Sequence, residues 1–442
     1  MFGLYSIPVN FSLFSNLLNM ISKKTDLNRR QFVDLAASSF LGVSTGSVLA
    51  EKAGQSKIPR IGPAKQMIYL FMGGGMSHID TFDLKPGHEN QGSTRPMNTR
   101  VDGLRVSTHL PNLARHADKL CVVNSLTSTA GDHEKGNYFM HTSYEQRATI
   151  RHPGIGAWAQ KMLGKLNPTM PGSVFIGKES RFHGSGGFFE PEFEPLAISD
   201  PRFGLKYSHR NVQQDRFQRR LSLANDLDTE FLQRYHSKPV RAYGDMYEDA
   251  VKLMDSPDLD AFNISKEDQA TRERYGNEAF GQGCLLARRL IESEVRTVEV
   301  SYTGWDTHID NFTAMPLLCS TMDRAVSALL DDLDRIGKLK ETLVVLTTEF
   351  GRTPIPNRNR GRDHYPQAFT SILAGGGFKG GYVYGKTSAG GEEVVESPVS
   401  IPDFNATIAY ALGIPIDHIL YSPTKRPFRV AHKGKPVMDL FA

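Results

Sequence analysis

Three short stretches of this chain gather the side-chain types that hold metal ions and anions. The first is Gly73-Gly-Gly-Met-Ser77-His78-Ile-Asp80-Thr-Phe-Asp83, where four polar groups follow three glycines. Glycines let a backbone approach a ligand or aim N–H groups at an anion. The plainer alternative is a tight turn with caps for a following helix. The second is Gly304-Trp-Asp306-Thr-His308-Ile-Asp310. Residues i and i+2 of an extended segment share a face, so Asp306 and His308 can converge on one ion. A simple Asp–His hydrogen bond at a loop is the competing reading, and Asp310 and Asn311 suit the cap of a helix beginning near Phe312. The third runs from Glu349-Phe-Gly-Arg352 to Gly361-Arg362-Asp363-His364, through a loop carrying Arg358 and Arg360. An acid, a guanidinium and an imidazole in one loop are what a metal ion and an anionic substrate require. The arginine run is either a solvated face or a source of anion attraction.

Each stretch follows a short apolar run, and such runs read as buried strands whose carboxyl ends collect ligands. Candidate strands are 67–72, 120–123, 173–176, 297–300, 343–346 and 369–373. Helical patterns separate many of them, at 155–163, 215–235, 274–292, 317–336 and 403–412. This alternation predicts an α/β fold with a mostly parallel sheet covered on both faces. The polar block around 206–274 interrupts it as a helical insertion. Gly380–Thr387 satisfies the GxxxxGK[ST] phosphate-loop pattern, but the glycines and acids that follow carry no helical period, so nucleotide binding is rejected.

The 442 residues carry a net charge of +4. Lys23, Lys24, Arg29 and Arg30 against Asp26 and Asp34 in the first fifty residues supply half of it. The remainder is nearly neutral, with no field for nucleic acid or a membrane surface. Arg29-Arg30, a nearby Phe32, a mildly apolar stretch and a small-residue end at Ala50 read as a twin-arginine export leader over 1–50, followed by a linker at 51–64. Met1 and Met20 are both candidate starts. Cys121, Cys284 and Cys319 form no CxxC pair and no disulfide framework. Export would place the protein in the periplasm or outside the cell, with the twin-arginine machinery as a partner and no membrane span in the mature form.

The strand-end motifs Gly73–Pro86, Gly304–His308, Thr348–Thr353 and Gly361–Pro366, with the glycine-rich Ala374–Gly385, are similar to an exported bacterial family known as domain of unknown function 1501. That family is related to the alkaline phosphatase and sulfatase superfamily, and the resemblance covers most of 65–440. It implies an alkaline-phosphatase-like three-layer sandwich over 65–442, with metal ligands at the carboxyl ends of the strands. Carried over by position, the ligands are Asp80, Asp306, His308, Glu349 and His364, with His78, Asp83 and Asp363 as secondary candidates. Phe350 stands where the superfamily has an imidazole, so the site holds one ion or two. Zn or Mn suits these mixed ligands better than Ca or Mg. The nucleophile position falls on His133, Ser77 is the other candidate, and Arg352 with Arg362 would hold the anion. The implied function is an exported, metal-dependent hydrolase of phosphate or sulfate esters. The alternative is a non-catalytic metal- or anion-binding protein on the same fold that recognises anionic polysaccharide.

Overall fold

A computed structural model describes residues 62–178, 184–206, 208, 213–235 and 238–442. The leader, with Arg29 and Arg30, and nearly all of the linker lie outside the described residues. The chain divides into two compact units, one containing the segment 206–236 and the other most of the remainder. In the first, the helix Gln214–Tyr235 is the described element. The block expected as one insertion at 206–274 is therefore divided. Its second part, beginning with the helix Lys238–Asp255, belongs to the main unit, where Lys165 pairs with Asp249 at 2.6 Å and Asn167 Nδ2 donates to Asp258 at 3.0 Å.

A nine-stranded sheet organises the main unit. Its strands are β1 (Gln66–Gly73), β2 (Leu120–Thr127), β3 (Ser173–Ile176), β4 (Leu196–Ile198), β5 (Thr297–Thr303), β6 (Thr342–Thr347), β7 (Phe369–Gly375), β8 (Tyr382–Tyr384) and β9 (Val399–Ser400). The order is β8-β2-β7-β6-β1-β5-β3-β4, with β9 also on β2. Only β7 runs against its neighbours.

The apolar runs are continuous because both faces are covered. Met67, Tyr69 and Phe71 point to one side, in a core shared with Ile155 and Trp158 of α2 (Ile155–Leu163) and Phe404 and Ile408 of α5 (Ile401–Leu412). That side also takes Met140 of α1 (His133–Thr142). On the other side, Val326 and Leu330 of α4 (Asn311–Arg335) meet Val344, Leu346 and Ile372. The helix α3 (Ala279–Glu292) packs there against α4 and β5. Alternate residues of a strand face opposite layers, so each layer receives its own apolar row.

The expected three-layer arrangement is thus present. No helix of the described residues is long and apolar enough to cross a membrane. The three cysteines are buried and free. In the rejected phosphate-loop segment, β8 and a two-residue strand at Lys386–Thr387 are followed by a turn and not by a helix.

Candidate metal centre

One edge of the sheet receives the carboxyl ends of β1, β2, β5 and β6 and, because it is antiparallel, the amino end of β7. The loops there carry Gly73–Gly75, Gly131–His133, Asp306–His308, Thr348–Arg352 and His364. Their close approach explains the glycines. Gly74 has φ +119°, and a Cβ on it would lie 2.5 Å from the Asp306 amide nitrogen. Its N–H donates to Glu349 Oε1 at 2.9 Å. The glycine run therefore serves an anion belonging to the protein. A Cβ on Gly361 would lie 1.9 Å from the His308 carbonyl oxygen.

Within this edge, Asp306 Oδ1 is surrounded by imidazole nitrogens: His308 Nε2 at 3.1 Å, His133 Nε2 at 3.3 Å and His364 Nε2 at 3.4 Å. The two nitrogens of His308 and His364 lie 3.0 Å apart. His133, Asp306 and His364 offer ligand atoms all within 4.8 Å of one another, a grouping that could hold a metal ion.

The opposite side of each ring fixes its proton. His133 Nδ1 lies 2.8 Å from Glu349 Oε1, His308 Nδ1 lies 2.6 Å from Asp363 Oδ1, and His364 Nδ1 lies 2.9 Å from the Gly131 carbonyl. Ionised carboxylates and carbonyls only accept, so all three Nδ1 atoms donate. Each ring then turns its Nε2 toward the same carboxylate oxygen of Asp306. Such an assembly repels itself unless protons or a cation stand between the atoms. His133 Nε2 is shielded from solvent yet makes no hydrogen bond. The donor set, with outer partners locking each tautomer, therefore fits a divalent ion.

Electrostatics follow the same geometry. The hydrogen bond and charge of Glu349 raise the His133 pKa against the effect of burial. Burial lowers that of His364. Burial would raise the Asp306 carboxyl, but the Arg352 hydrogen bond and charge, then His133 and His308, bring it down to about 2. Phe350 is wholly buried, with its ring centroid 5.2 Å from that of His133 and 4.6 Å from that of His364. It forms an apolar floor where a further imidazole would stand.

Other predicted residues are placed differently. Asp80 is wholly buried and accepts from Ser77 Oγ at 2.7 Å, Thr94 Oγ1 at 2.6 Å, Asn311 Nδ2 at 2.9 Å and Arg362 Nε at 2.7 Å. Those bonds occupy both oxygens, so the structure keeps Asp80 out of the cluster expected of it. Ser77 is wholly buried beside Asp80, to which its hydroxyl donates. Arg362 is spent on Asp80 and on the carbonyls of Thr353, Pro354 and Asn90. Arg352 is also fully buried, and its nitrogens go to Asp306, Gly74 O, Gly75 O and Arg362 O. It orients Asp306 and presents no free fork to an anion.

Glu349 lies inside, behind His133, and its other oxygen takes the Thr348 hydroxyl at 2.9 Å. His78 bonds the Gly391 carbonyl at 2.9 Å, and Asp83 pairs with Lys85 at 2.7 Å and takes the Thr387 hydroxyl. Both serve the 387–391 loop. Asp310 stands at the expected cap position of α4 with φ +47°, but its side chain makes no capping bond. Asn311 is buried against Asp80. Sequence reasoning missed Thr94, Thr307, Gly131 and Asn357, the last donating to the His308 carbonyl and Asp363 at 3.0 Å each, and these residue types carry no signal of their own.

A family profile described as "Protein of unknown function (DUF1501)" matches residues 64–441. The chain belongs to this family. No curated protein matches the sequence. Among solved structures, a sulfatase, PsFucS1, from Pseudoalteromonas sp. shares 13% identity over 92% of this chain and 77% of that one, with a TM-score of 0.38. A phosphonate monoester hydrolase from Silicibacter pomeroyi shares 12% over 85% and 76%, with a TM-score of 0.39. A protein in the alkaline phosphatase superfamily from Vibrio parahaemolyticus shares 12% over 88% and 76%, with a TM-score of 0.34. At these values no activity passes from them to this DUF1501 protein.

Proposed function

We propose that this DUF1501 protein is an exported, metal-dependent hydrolase of phosphate or sulfate esters. The observation that carries the reading is the convergence of three imidazole Nε2 atoms on Asp306, each ring held at Nδ1 by its own acceptor. The resemblance of the strand-end motifs supplies the substrate class. His133, Asp306, His308 and His364 would hold the ion, and their mixed nitrogen and oxygen donors favour Zn or Mn over Ca or Mg. Such an ion would polarise an ester oxygen and lower the pKa of a water molecule.

The chain's own residues do the rest. Glu349 keeps the proton of His133 on Nδ1, Asp363 does so for His308, and the Gly131 carbonyl for His364. Arg352 holds Asp306 in place. Asp132 caps the amino terminus of α1, which carries His133, by accepting from Lys135 N at 2.9 Å. With Ser77 buried and His133 facing the cluster, water would be the attacking group.

One observation favours the second reading, a metal- or anion-binding protein without turnover: Arg352 and Arg362 are both consumed inside the protein. Purified protein loaded with Zn or Mn and offered chromogenic phosphate and sulfate monoesters separates the two. Turnover that disappears on chelation and returns with the metal supports hydrolysis. Stoichiometric metal with binding of sulfated polysaccharide and no turnover supports the binding protein. Failure to take up either metal removes the metal centre altogether.

A further inference from the structure

Asp80 and Arg362 form a wholly buried ion pair, 2.7 Å between Arg362 Nε and Asp80 Oδ2, that the chemistry above leaves unused. Two chains of contacts lead from it to the cluster. In one, Asn311 Nδ2 donates to Asp80 Oδ2 at 2.9 Å, and Asn311 Oδ1 accepts the Thr307 hydroxyl at 2.7 Å. Thr307 stands between Asp306 and His308. In the other, Arg362 itself is the link. Its backbone N–H donates to the Thr307 carbonyl at 2.9 Å, and its carbonyl accepts Arg352 Nη1 at 2.9 Å. Arg352 grips Asp306, while Asp363 and His364 follow Arg362 directly in the chain.

We propose that Asp80 is the positioning residue of the metal centre, setting the spacing of the Asp306–His308 and Asp363–His364 segments through Asn311–Thr307 and Arg362. It touches neither ion nor substrate. Four donors from four separate segments (Ser77, Thr94, Asn311 and Arg362) fix one carboxylate. That carboxylate in turn braces two ligand-bearing loops, which also meet through an antiparallel bridge between Ile309 and Arg360. Outer partners of this kind control ligand direction, and their loss typically weakens metal binding by about 10- to 100-fold. The proposal rests on reading the His133–Asp306–His364 cluster as a metal centre.

The test uses the full chain and its Asp80→Asn and Thr307→Val variants. Zn affinity is measured by chelator competition well below the unfolding transition. Nitrogen NMR of the imidazoles is recorded on metal-free protein. Asp80→Asn keeps the shape and removes the charge that holds Arg362, and is expected to weaken Zn binding by about 10- to 100-fold. Thr307→Val cuts only the Asn311 link and is expected to shift affinity in the same direction by less. Both variants are expected to move the His308 and His364 signals. A folded Asp80→Asn that is less heat-stable but binds Zn within twofold of the parent overturns the proposal, because that is a structural role alone. If Asp80→Asn does not fold, Thr307→Val decides: unchanged affinity and unchanged imidazole signals overturn it. If the parent takes up no Zn, the metal-centre reading fails by itself. Metal-free imidazole spectra then test the coupling, and unmoved signals in both variants end it.

Discussion

Asp306→Asn is the most direct perturbation of the centre, because Arg352, His133, His308 and His364 all meet at its Oδ1. The substitution keeps the shape and removes the charge. Metal affinity is expected to fall by more than about 100-fold, since loss of an outer partner alone costs about 10- to 100-fold and Asp306 is proposed as a direct ligand. Stability should change far less. Arg352 is fully buried, and its remaining partners are neutral carbonyls. Removing one member of a buried ion pair costs about 3–5 kcal/mol. The Asp306 side chain is 47% exposed, so solvent screening cuts the figure to about 1–2 kcal/mol. For a domain of this size that corresponds to about 1–3 °C in Tm. Calorimetric titration with Zn and thermal unfolding of metal-free protein measure the two quantities. A folded Asp306→Asn variant that binds Zn as the parent does would refute the assignment of this oxygen as a ligand.

Three further outcomes follow from the same geometry. Gly361→Ala drives a Cβ into the His308 carbonyl, 1.9 Å away, and is expected to weaken metal binding by about tenfold or more and to destabilise the fold by about 1–3 kcal/mol, read by titration and by urea unfolding. Ser77→Ala removes one donor from buried Asp80 and is expected to cost about 1 kcal/mol of stability while leaving any ester turnover within a few-fold of the parent. Loss of turnover by several orders of magnitude would restore Ser77 as a nucleophile. His141 is buried, its Nε2 3.0 Å from Glu299 Oε1; burial lowers its pKa, but the charge and hydrogen bond of Glu299 outweigh this and raise it above 6.5. The folded state therefore binds the proton more tightly, so this stabilisation is complete below pH 6.5 and is lost as pH rises through the folded value. Urea unfolding at several pH values should show that decline in the parent and a flatter profile in His141→Gln.

The sheet was legible because its strands are short, apolar and buried on both faces, a pattern that survives without tertiary context. Met67–Met72 lies within β1, and Ser173–Ile176 was read with its observed bounds. The short strands at Leu196–Ile198, Tyr382–Tyr384 and Val399–Ser400 were not found, because two or three residues give no period to detect. The pattern read as one helix over 274–292 is broken at Gly276, whose φ is +92°, with separate helices on either side. His133 had no local signal as a ligand. Counting along a family pattern placed it at the nucleophile position instead, and its partner Glu349 lies 216 positions away.

The misplaced residues share a physical cause. A polar residue in a loop after a strand has the same sequence signature whether it turns outward to a ligand or inward to the protein. What separates Asp80 from Asp306 is the number and kind of neighbours each receives from elsewhere in the chain. Asp80 gathers hydrogen-bond donors from positions 77, 94, 311 and 362, and is satisfied without any ligand. Asp306 gathers one guanidinium and three imidazole nitrogens whose protons are held on the far side of each ring. The first arrangement is complete as it stands, while the second is a grouping that could hold a cation. Arg352 and Arg362 divide along the same line. Both were expected to face an anion, and both are instead buried, one steering Asp306 and the other completing Asp80. On the proposed reading, positive charge for an anionic substrate would then come from the ion itself. For that reason metal uptake, and not arginine substitution, is the measurement that bears most directly on function.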